Sequence, residues 1–138
     1  MPVEGLSHIT LVVRDIARSL QLMRDVLGAT VTYASGDETF SLSREVFLDV
    51  GGVWLVLMEG ESLPARSYNH IAFKIAEEDF DACLTRVHAS GVEMLPPRAR
   101  VEGEGRSIYF HDFDNHLFEL HTGTLAVRLA RYAKGKAP

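Results

Sequence analysis

The hydrophobic pattern of the chain occurs twice. Residues 8–13 (HITLVV) and 70–75 (HIAFKI) both open with His-Ile and continue in residues typical of β-strands. An amphipathic segment follows each of them, at 15–27 and 77–89, with apolar residues at helical spacing and a glycine at or near its end. Because self-similarity of this kind is typical of repeated structural units, we predict two modules that each begin with a strand and a helix.

Shorter strand-like runs, separated by turn residues, follow each predicted helix. In the first module they are 30–34, 39–42, 46–50 and 53–58, and in the second they are 93–95, 106–111 and 116–121. The first module spans 4–59, a linker with Pro64 spans 60–67, the second module spans 68–123, and a final helix spans 124–133. The sequence therefore predicts one α+β domain over 1–138, with strand, helix and about three strands occurring twice.

Composition places this domain among ordinary globular proteins. Of the 138 residues, 46% are apolar and 24% are charged. The net charge of −5 disfavours nucleic-acid binding, and no apolar run approaches the ~20 residues that span a membrane. The single cysteine, Cys83, excludes an internal disulfide, and the first residues lack a secretory-signal pattern. We expect a cytoplasmic protein whose modules, at about 60 residues each, need one another or a dimer partner to form a core.

Strand alternation puts one histidine of each module on the same kind of face. Side chains alternate along a strand, so the apolar set in 8–13 faces the helix, whereas His8 and Thr10 face away. The second module repeats this arrangement with His70, which makes His8 and His70 equivalent positions. We assign no catalytic role to the other four histidines, which are His88, His111, His116 and His121.

The last strand of each module supplies a third position. Aligning 53–58 with 116–121 matches Val56 with Glu119, a carboxylate in a largely apolar run, where burial without a partner is costly. Two histidines and this carboxylate predict a divalent-metal site, and since valine cannot ligate, positions stay open for water or substrate. These ligands permit Mn, Fe, Zn, Ni or Co. The alternative is that the histidines are structural and that Glu119 pairs with a basic side chain.

Specific motifs add a family resemblance to this pattern. The repeated strand histidine, helix and strands, with a glutamate on the final strand, resemble the vicinal oxygen chelate superfamily of glyoxalase and bleomycin-resistance proteins. Within that superfamily, the chain is similar to the fosfomycin-resistance proteins that hydrate an epoxide. The similarity extends to about residue 132 and is carried by GLSHIT (5–10), FSLSRE (40–45), RSYNHIAF (66–73), RVEGEGRSIYF (100–110) and DNHLFELHTGTL (114–125).

The resemblance implies a fold, a metal and a reaction. The fold is a pair of βαβββ modules exchanged between the two chains of a homodimer, with His8 from one chain and His70 and Glu119 from the other. The metal is Mn(II), and the enzyme is a hydrolase that converts the epoxide of fosfomycin to an inactive diol, giving antibiotic resistance. The matching general base is Glu45, which in isolation is typical of a solvated surface charge.

The resemblance also implies contacts to the phosphonate of the substrate. The matching positions are Thr10, Ser107, Tyr109 and Arg128. Arginine suits such an anion because its guanidinium group binds oxygens bidentately, and Arg98 is a further candidate, with a solvated loop charge as its alternative. We expect Trp54 and Tyr68 to line the pocket, although aromatic residues at such positions are commonly part of a core.

Two other functions stay open on sequence grounds. A thiol transferase of the same superfamily opens the same epoxide with glutathione or another thiol, but the positioned base Glu45 favours water as the nucleophile. An antibiotic-sequestering protein of the superfamily performs no chemistry and generally lacks the metal ligands that His8, His70 and Glu119 represent here. An isomerase or dioxygenase on the same scaffold has weaker support.

Overall fold

Each half of the chain begins with a strand and a helix and continues in further strands, as the repeat predicts. The computed structural model describes residues 2–39, 41–97 and 102–135. The first half contains β1 (His8–Val13), α1 (Ile16–Leu27), β2 (Thr30–Ala34), β3 (Glu45–Val50) and β4 (Val53–Glu59). The second half contains β5 (His70–Lys74), a short 3₁₀ helix (Glu77–Asp79), α2 (Phe80–Ala89), β6 (Ser107–His111), β7 (Leu117–His121) and α3 (Leu125–Gly135). No helix in these described stretches is long and apolar enough to cross a bilayer.

The chain divides into two units, each with its own sheet. Unit 1 comprises Met1–Ala65 and Phe113–His116, and its sheet has the order β1-β4-β3-β2. Unit 2 comprises Arg66–Asp112 and Leu117–Pro138, and its sheet has the order β5-β7-β6. In unit 1, β4 pairs with β1 in parallel and with β3 in antiparallel orientation. In unit 2, β7 likewise pairs with β5 in parallel and with β6 in antiparallel orientation. The two sheets therefore share one connectivity, as a repeat requires.

The strand register supports the alignment made from the sequence. Thr10 lies opposite Val56 in unit 1, and Ala72 lies opposite Glu119 in unit 2. Thr10 and Ala72 each stand two positions after the histidine that opens their strand, so His8 shares a sheet face with Val56 and His70 shares one with Glu119. Val56 and Glu119 are thus equivalent in space as well as in sequence.

Helix α1 begins after an aspartate that caps it and ends at a glycine. The Asp15 side chain caps α1 by accepting a hydrogen bond from the backbone N–H of Arg18 at 3.1 Å. Gly28 ends α1 with a φ of 65°, a left-handed conformation that glycine adopts at low cost. The second helix differs from the prediction, because residues 77–79 form a 3₁₀ turn and α2 itself begins at Phe80.

Two predicted strands are wrong. In the run 39–42, Thr39, Ser41 and Leu42 form no strand, and Leu42 is 90% exposed, so it buries almost none of the apolar surface that would stabilise one. Phe40 lies outside the described residues. The run 93–95 reduces to an isolated bridge between Met94 and Phe110. Pro96 and Pro97 follow directly and lack the N–H groups that would extend the ladder.

Aromatic residues form much of the unit 2 core. Phe118 on β7 stacks against Phe110 on β6 and Phe73 on β5, with ring centroids 5.5 and 6.4 Å apart. Helix α2 contributes Cys83, which is 3% exposed and acts as a small core residue. Because side chains alternate along each strand, burial of these residues on one face of the sheet also fixes which residues lie on the opposite face.

Gly105 precedes β6 and allows a close backbone approach. Its φ is +78°, and a Cβ added there would lie 2.6 Å from the backbone nitrogen of Gly123. Gly36 has a similar φ of +63° with nothing within 4 Å. We therefore expect Gly105→Ala to lower the free energy of unfolding by about 1–3 kcal/mol more than Gly36→Ala, because only the first adds overpacking to the cost of a positive φ. Urea unfolding of both variants measures the difference, and equal losses would contradict the close approach.

Candidate metal centre and active site

Unit 2 brings His70 and Glu119 together on adjacent parallel strands. His70 Nε2 lies 3.1 Å from Glu119 Oε1. The other ring nitrogen, Nδ1, lies 2.8 Å from the backbone carbonyl of Tyr68, which accepts its hydrogen. A histidine held in this way through Nδ1 presents the lone pair of Nε2, which is how histidine commonly binds a metal.

Glu119 is a buried carboxylate with its second oxygen already bonded. Its side chain is 8% exposed, and Ser107 Oγ donates to its Oε2 at 2.5 Å, while His121 Nδ1 lies 3.3 Å from the same atom. Burial acts to raise the pKa of Glu119, but hydrogen bonds from Ser107 and Tyr109 and the two nearby imidazoles outweigh it, so the pKa is lowered overall. Glu119 is therefore ionised, with Oε1 directed at His70.

This donor set fits half of a manganese site. Imidazole and carboxylate are ligands that divalent manganese accepts. In each side chain the atom that does not face the other residue, His70 Nδ1 or Glu119 Oε2, is held by a hydrogen bond. Within residues 2–39, 41–97 and 102–135, no three histidine, cysteine or carboxylate side chains are grouped so as to hold a metal ion. His70 and Glu119 are therefore two side chains whose donor atoms lie close enough to hold one metal ion together.

Unit 1 presents the equivalent histidine. His8 lies at the start of β1, with Nδ1 2.9 Å from Ser7 Oγ and its ring centroid 4.3 Å from that of Trp54. Trp54 in turn contacts Phe47 at 5.1 Å between centroids. Thr10 is exposed on the same face of the strand. His8, Thr10 and Trp54 therefore share one face of the sheet in unit 1, and aromatic rings support the histidine.

Glu45 is buried in the structure, whereas its sequence context alone predicts a solvated surface residue. It is 8% exposed and is the first residue of β3. Its backbone is fixed on both sides, because its N–H donates to Ser35 Oγ at 3.0 Å and its carbonyl accepts from Ser35 N at 3.0 Å. The register pairs Glu45 with Met58, and Met58 with Val12, so Glu45 lies on the same face of the sheet as His8.

The segment before Glu45 is joined to the end of β4 by three interactions. Ser43 Oγ donates to the carbonyl of Glu59 at 2.6 Å, and the N–H of Glu59 donates to the carbonyl of Arg44 at 2.9 Å. The Arg44 guanidinium group also forms an ion pair with the Glu59 carboxylate. These contacts hold the loop at the point where Glu45 enters the sheet.

The substrate residues expected from the sequence fall into both units. In unit 2, Tyr68 and Tyr109 share a hydrogen bond of 3.2 Å between their hydroxyls, and their rings flank His70 at 4.9 and 5.4 Å. Burial, followed by hydrogen bonds to Tyr68 and Glu119, raises the pKa of Tyr109, which is therefore a neutral donor. Arg128 on α3 lies 3.4 Å from His121, and Arg98 lies outside the described residues.

The sequence reasoning excluded His121 from the catalytic residues although it shares a strand face with Glu119. It was assigned no catalytic role, yet its Nδ1 lies 2.7 Å from Ser107 Oγ and 3.3 Å from Glu119 Oε2. The available signal was its position two residues after Glu119, which places both side chains on one strand face. His111, by contrast, is 6% exposed, and burial lowers its pKa.

Comparison with known proteins identifies the family. Residues 5–120 match the model of the glyoxalase/bleomycin resistance protein/dioxygenase superfamily. The chain belongs to that superfamily, which confirms the family resemblance seen in its motifs and the α+β fold of strand-helix-strand modules.

Individual relatives narrow the comparison. The chain is 59% identical to the fosfomycin resistance protein FosX of Mesorhizobium japonicum, covering 96% of each chain. It is 38% identical to the metallothiol transferase FosB of Staphylococcus haemolyticus, covering 97% of this chain and 94% of that one. Its structure matches FosX of Listeria monocytogenes with a TM-score of 0.85 and 52% identity, over 94% of this chain and 98% of that one. That relative was solved with Mn(II) and 1S,2S-dihydroxypropylphosphonic acid.

Proposed function

We propose that this protein is an Mn(II)-dependent epoxide hydrolase that adds water to fosfomycin and so confers resistance to that antibiotic. The observation that carries the proposal is the pair formed by His70 Nε2 and Glu119 Oε1, which lie 3.1 Å apart. Hydrogen bonds to His70 Nδ1 and Glu119 Oε2 hold both side chains in this orientation. The relative from Listeria monocytogenes, which binds Mn(II) and a dihydroxypropylphosphonic acid, supports it. That diol is what water addition to an epoxypropylphosphonate yields.

The metal ligands in this proposal are His8, His70 and Glu119. Bound Mn(II) acts as a Lewis acid on the epoxide oxygen, where negative charge develops as the ring opens. The Tyr68 carbonyl accepts a hydrogen bond from His70 Nδ1 and so fixes the tautomer of the ring. Ser107 donates a hydrogen bond to Glu119 Oε2. Both ligands are thereby oriented before the metal binds.

Glu45 is the general base in this proposal. Ring opening by water needs a group that accepts a proton from the attacking water within hydrogen-bond reach. Glu45 suits this role because it is nearly buried on the His8 face and its backbone is fixed by Ser35. No hydrogen bond to its carboxylate occurs among the described residues, which leaves the carboxylate available to a water molecule.

The phosphonate is bound by neutral and cationic donors. Tyr109 keeps its proton, and Arg128 supplies a guanidinium group 3.4 Å from His121. Thr10 adds a hydroxyl on the His8 face, and Trp54 and Tyr68 line the pocket as partly exposed aromatic rings. Arg98 remains a further candidate for this role. The positive donors and the metal offset the overall charge of −5 locally.

A thiol transferase is the second candidate, because the 38% identity to a metallothiol transferase FosB covers nearly the whole chain. Incubating the protein with Mn(II) and fosfomycin, with and without a thiol, separates the two functions by phosphorus NMR of the products. We expect the diol in both reactions at the same rate. A product that forms only with thiol present would replace the hydrolase by a transferase, and binding without any product would indicate sequestration.

We further propose a homodimer in which His8 of one protomer joins His70 and Glu119 of its partner. The support is that unit 2 brings together two of the three proposed ligands, His70 and Glu119, whereas His8 belongs to unit 1. A closed two-fold pair would hold two such sites. The proposal includes a location in the cytoplasm, where a protein with one buried cysteine, Cys83, needs no disulfide.

Mixing two inactive variants tests this arrangement. His8→Ala and Glu119→Ala homodimers should each lack turnover, but a heterodimer contains one site with both mutations and one site with neither. After unfolding and refolding together, we expect recovery of about one quarter of wild-type turnover at random pairing. A mixture of His70→Ala with Glu119→Ala is the matched control and should stay inactive, since both residues come from the same protomer. Failure of the first mixture to recover activity would contradict shared ligands.

A further inference from the structure

We infer that His121 is a positioning residue that fixes the orientation of the metal ligand Glu119 through Ser107. The inference rests on the metal-binding role of Glu119 in the proposed function and extends it to a residue outside the ligand set. His121 Nδ1 lies 2.7 Å from Ser107 Oγ, and Ser107 Oγ donates to Glu119 Oε2 at 2.5 Å. On the other side of the ring, Nε2 lies 3.4 Å from Arg128 Nη2.

The hydrogen bonds that link Arg128, His121, Ser107 and Glu119 all donate in one direction, from Arg128 towards Glu119. A guanidinium group only donates hydrogen bonds, so Nε2 of His121 is the acceptor in its contact with Arg128. The ring hydrogen then lies on Nδ1 and points to Ser107 Oγ, whose own hydrogen points to Glu119 Oε2. Oε2 is thereby occupied, and Oε1 is left facing His70 Nε2 at 3.1 Å. The orientation of the ligand is set by a residue that does not touch the metal.

Local packing holds the His121 ring in this place. A Cβ at residue 123 would lie 2.6 Å from His121 Nε2 and 2.8 Å from the carbonyl oxygen of Glu104. The absence of a side chain at Gly123 therefore gives the ring its room. His121 is also only partly exposed, with 17% of its side chain accessible, which limits competition from water for its hydrogen bonds.

The same geometry adds to the role of Ser107. Its single hydrogen is used by Glu119 Oε2, and its oxygen accepts from His121. In this structure Ser107 therefore orients the carboxylate, a role in addition to the phosphonate contact expected from the sequence.

Manganese affinity tests the inference without any substrate. The metal-depleted dimer is titrated with Mn(II), and the free ion is followed by electron paramagnetic resonance. We expect His121→Phe to weaken Mn(II) binding about 10- to 100-fold, the effect typical of losing a group that orients a ligand. Ser107→Ala should weaken it similarly, and the double variant no further than either single variant, because both remove one chain of hydrogen bonds. His88→Phe, at an exposed position on α2, is the control and should bind as the wild type does.

Two further variants separate positioning from a merely structural role. Asn places an amide nitrogen near the position of Nδ1, whereas Gln places it near Nε2, so His121→Asn should retain most of the affinity and His121→Gln should lose it. This pair keeps the test decisive if the Phe variant does not fold. Wild-type affinity in His121→Phe, or equal affinity in the Asn and Gln variants, would overturn the inference. Wild-type protein that binds Mn(II) but forms no diol would instead overturn the proposed function alone.

Discussion

Replacing Glu45 with glutamine is expected to lower the rate of diol formation by about 10²–10⁴-fold, the usual contribution of a general base. Glutamine has nearly the same size and shape as glutamate, but it cannot accept a proton from the attacking water. Because Glu45 is not a metal ligand in this account, the affinity for Mn(II) should not change. The rate is measured by phosphorus NMR of the diol at saturating Mn(II), and the affinity by titration with the metal.

The matched control is Glu38→Gln in the same loop. Glu38 is exposed, so its loss removes a similar charge from the region without touching the base. We expect wild-type turnover from this variant. If Glu45→Gln also turned over at the wild-type rate, another group would have to act as the base, although the metal site would be unaffected.

Replacing Glu119 with glutamine should affect the metal as well as the chemistry. An amide keeps the shape of the side chain but removes the negative charge that the site offers to a dication. We expect Mn(II) affinity to fall by at least about 100-fold and turnover at low Mn(II) to fall with it, since an oriented anionic ligand contributes several kcal/mol to such a site. Saturating Mn(II) should restore part of the turnover, because His70 is still present.

Glu93→Gln is the control for this variant. Glu93 belongs to the same unit and forms an ion pair with Arg66 at 2.6 Å, but its side chain is 66% exposed. Its replacement should leave Mn(II) affinity unchanged. Full metal occupancy in Glu119→Gln at wild-type Mn(II) concentrations would show that Glu119 is not a ligand.

Much of the fold could be predicted from the sequence because the chain repeats itself. The strand alternation and the His-Ile openings of the two modules place His8 and His70 in equivalent positions, and the register of Thr10 with Val56 and of Ala72 with Glu119 matches that alignment. Periodicity is strong in these elements because each one has an apolar face to bury.

The predictions failed where tertiary contacts override local pattern. Residues 39–42 have β-propensity, but the Leu42 side chain stays exposed, and the Ser43 hydroxyl donates a hydrogen bond to the backbone carbonyl of Glu59 in β4. Glu45 was expected to be solvated in isolation, and only the folding of β3 against β4 buries it. The role of His121 depends on hydrogen bonds to Ser107 and Arg128, which lie 14 and 7 positions away in the sequence.

The origin of the second diol oxygen tests the central claim most directly. Fosfomycin is incubated with the Mn(II)-loaded protein, without any thiol, in water enriched in the heavy oxygen isotope, and the product is analysed by mass spectrometry. The account predicts a dihydroxypropylphosphonate carrying one heavy oxygen per molecule in the newly formed hydroxyl, with no such product when Mn(II) is removed. Unchanged fosfomycin in the presence of Mn(II), or a product that requires a thiol and carries no heavy oxygen, would contradict it.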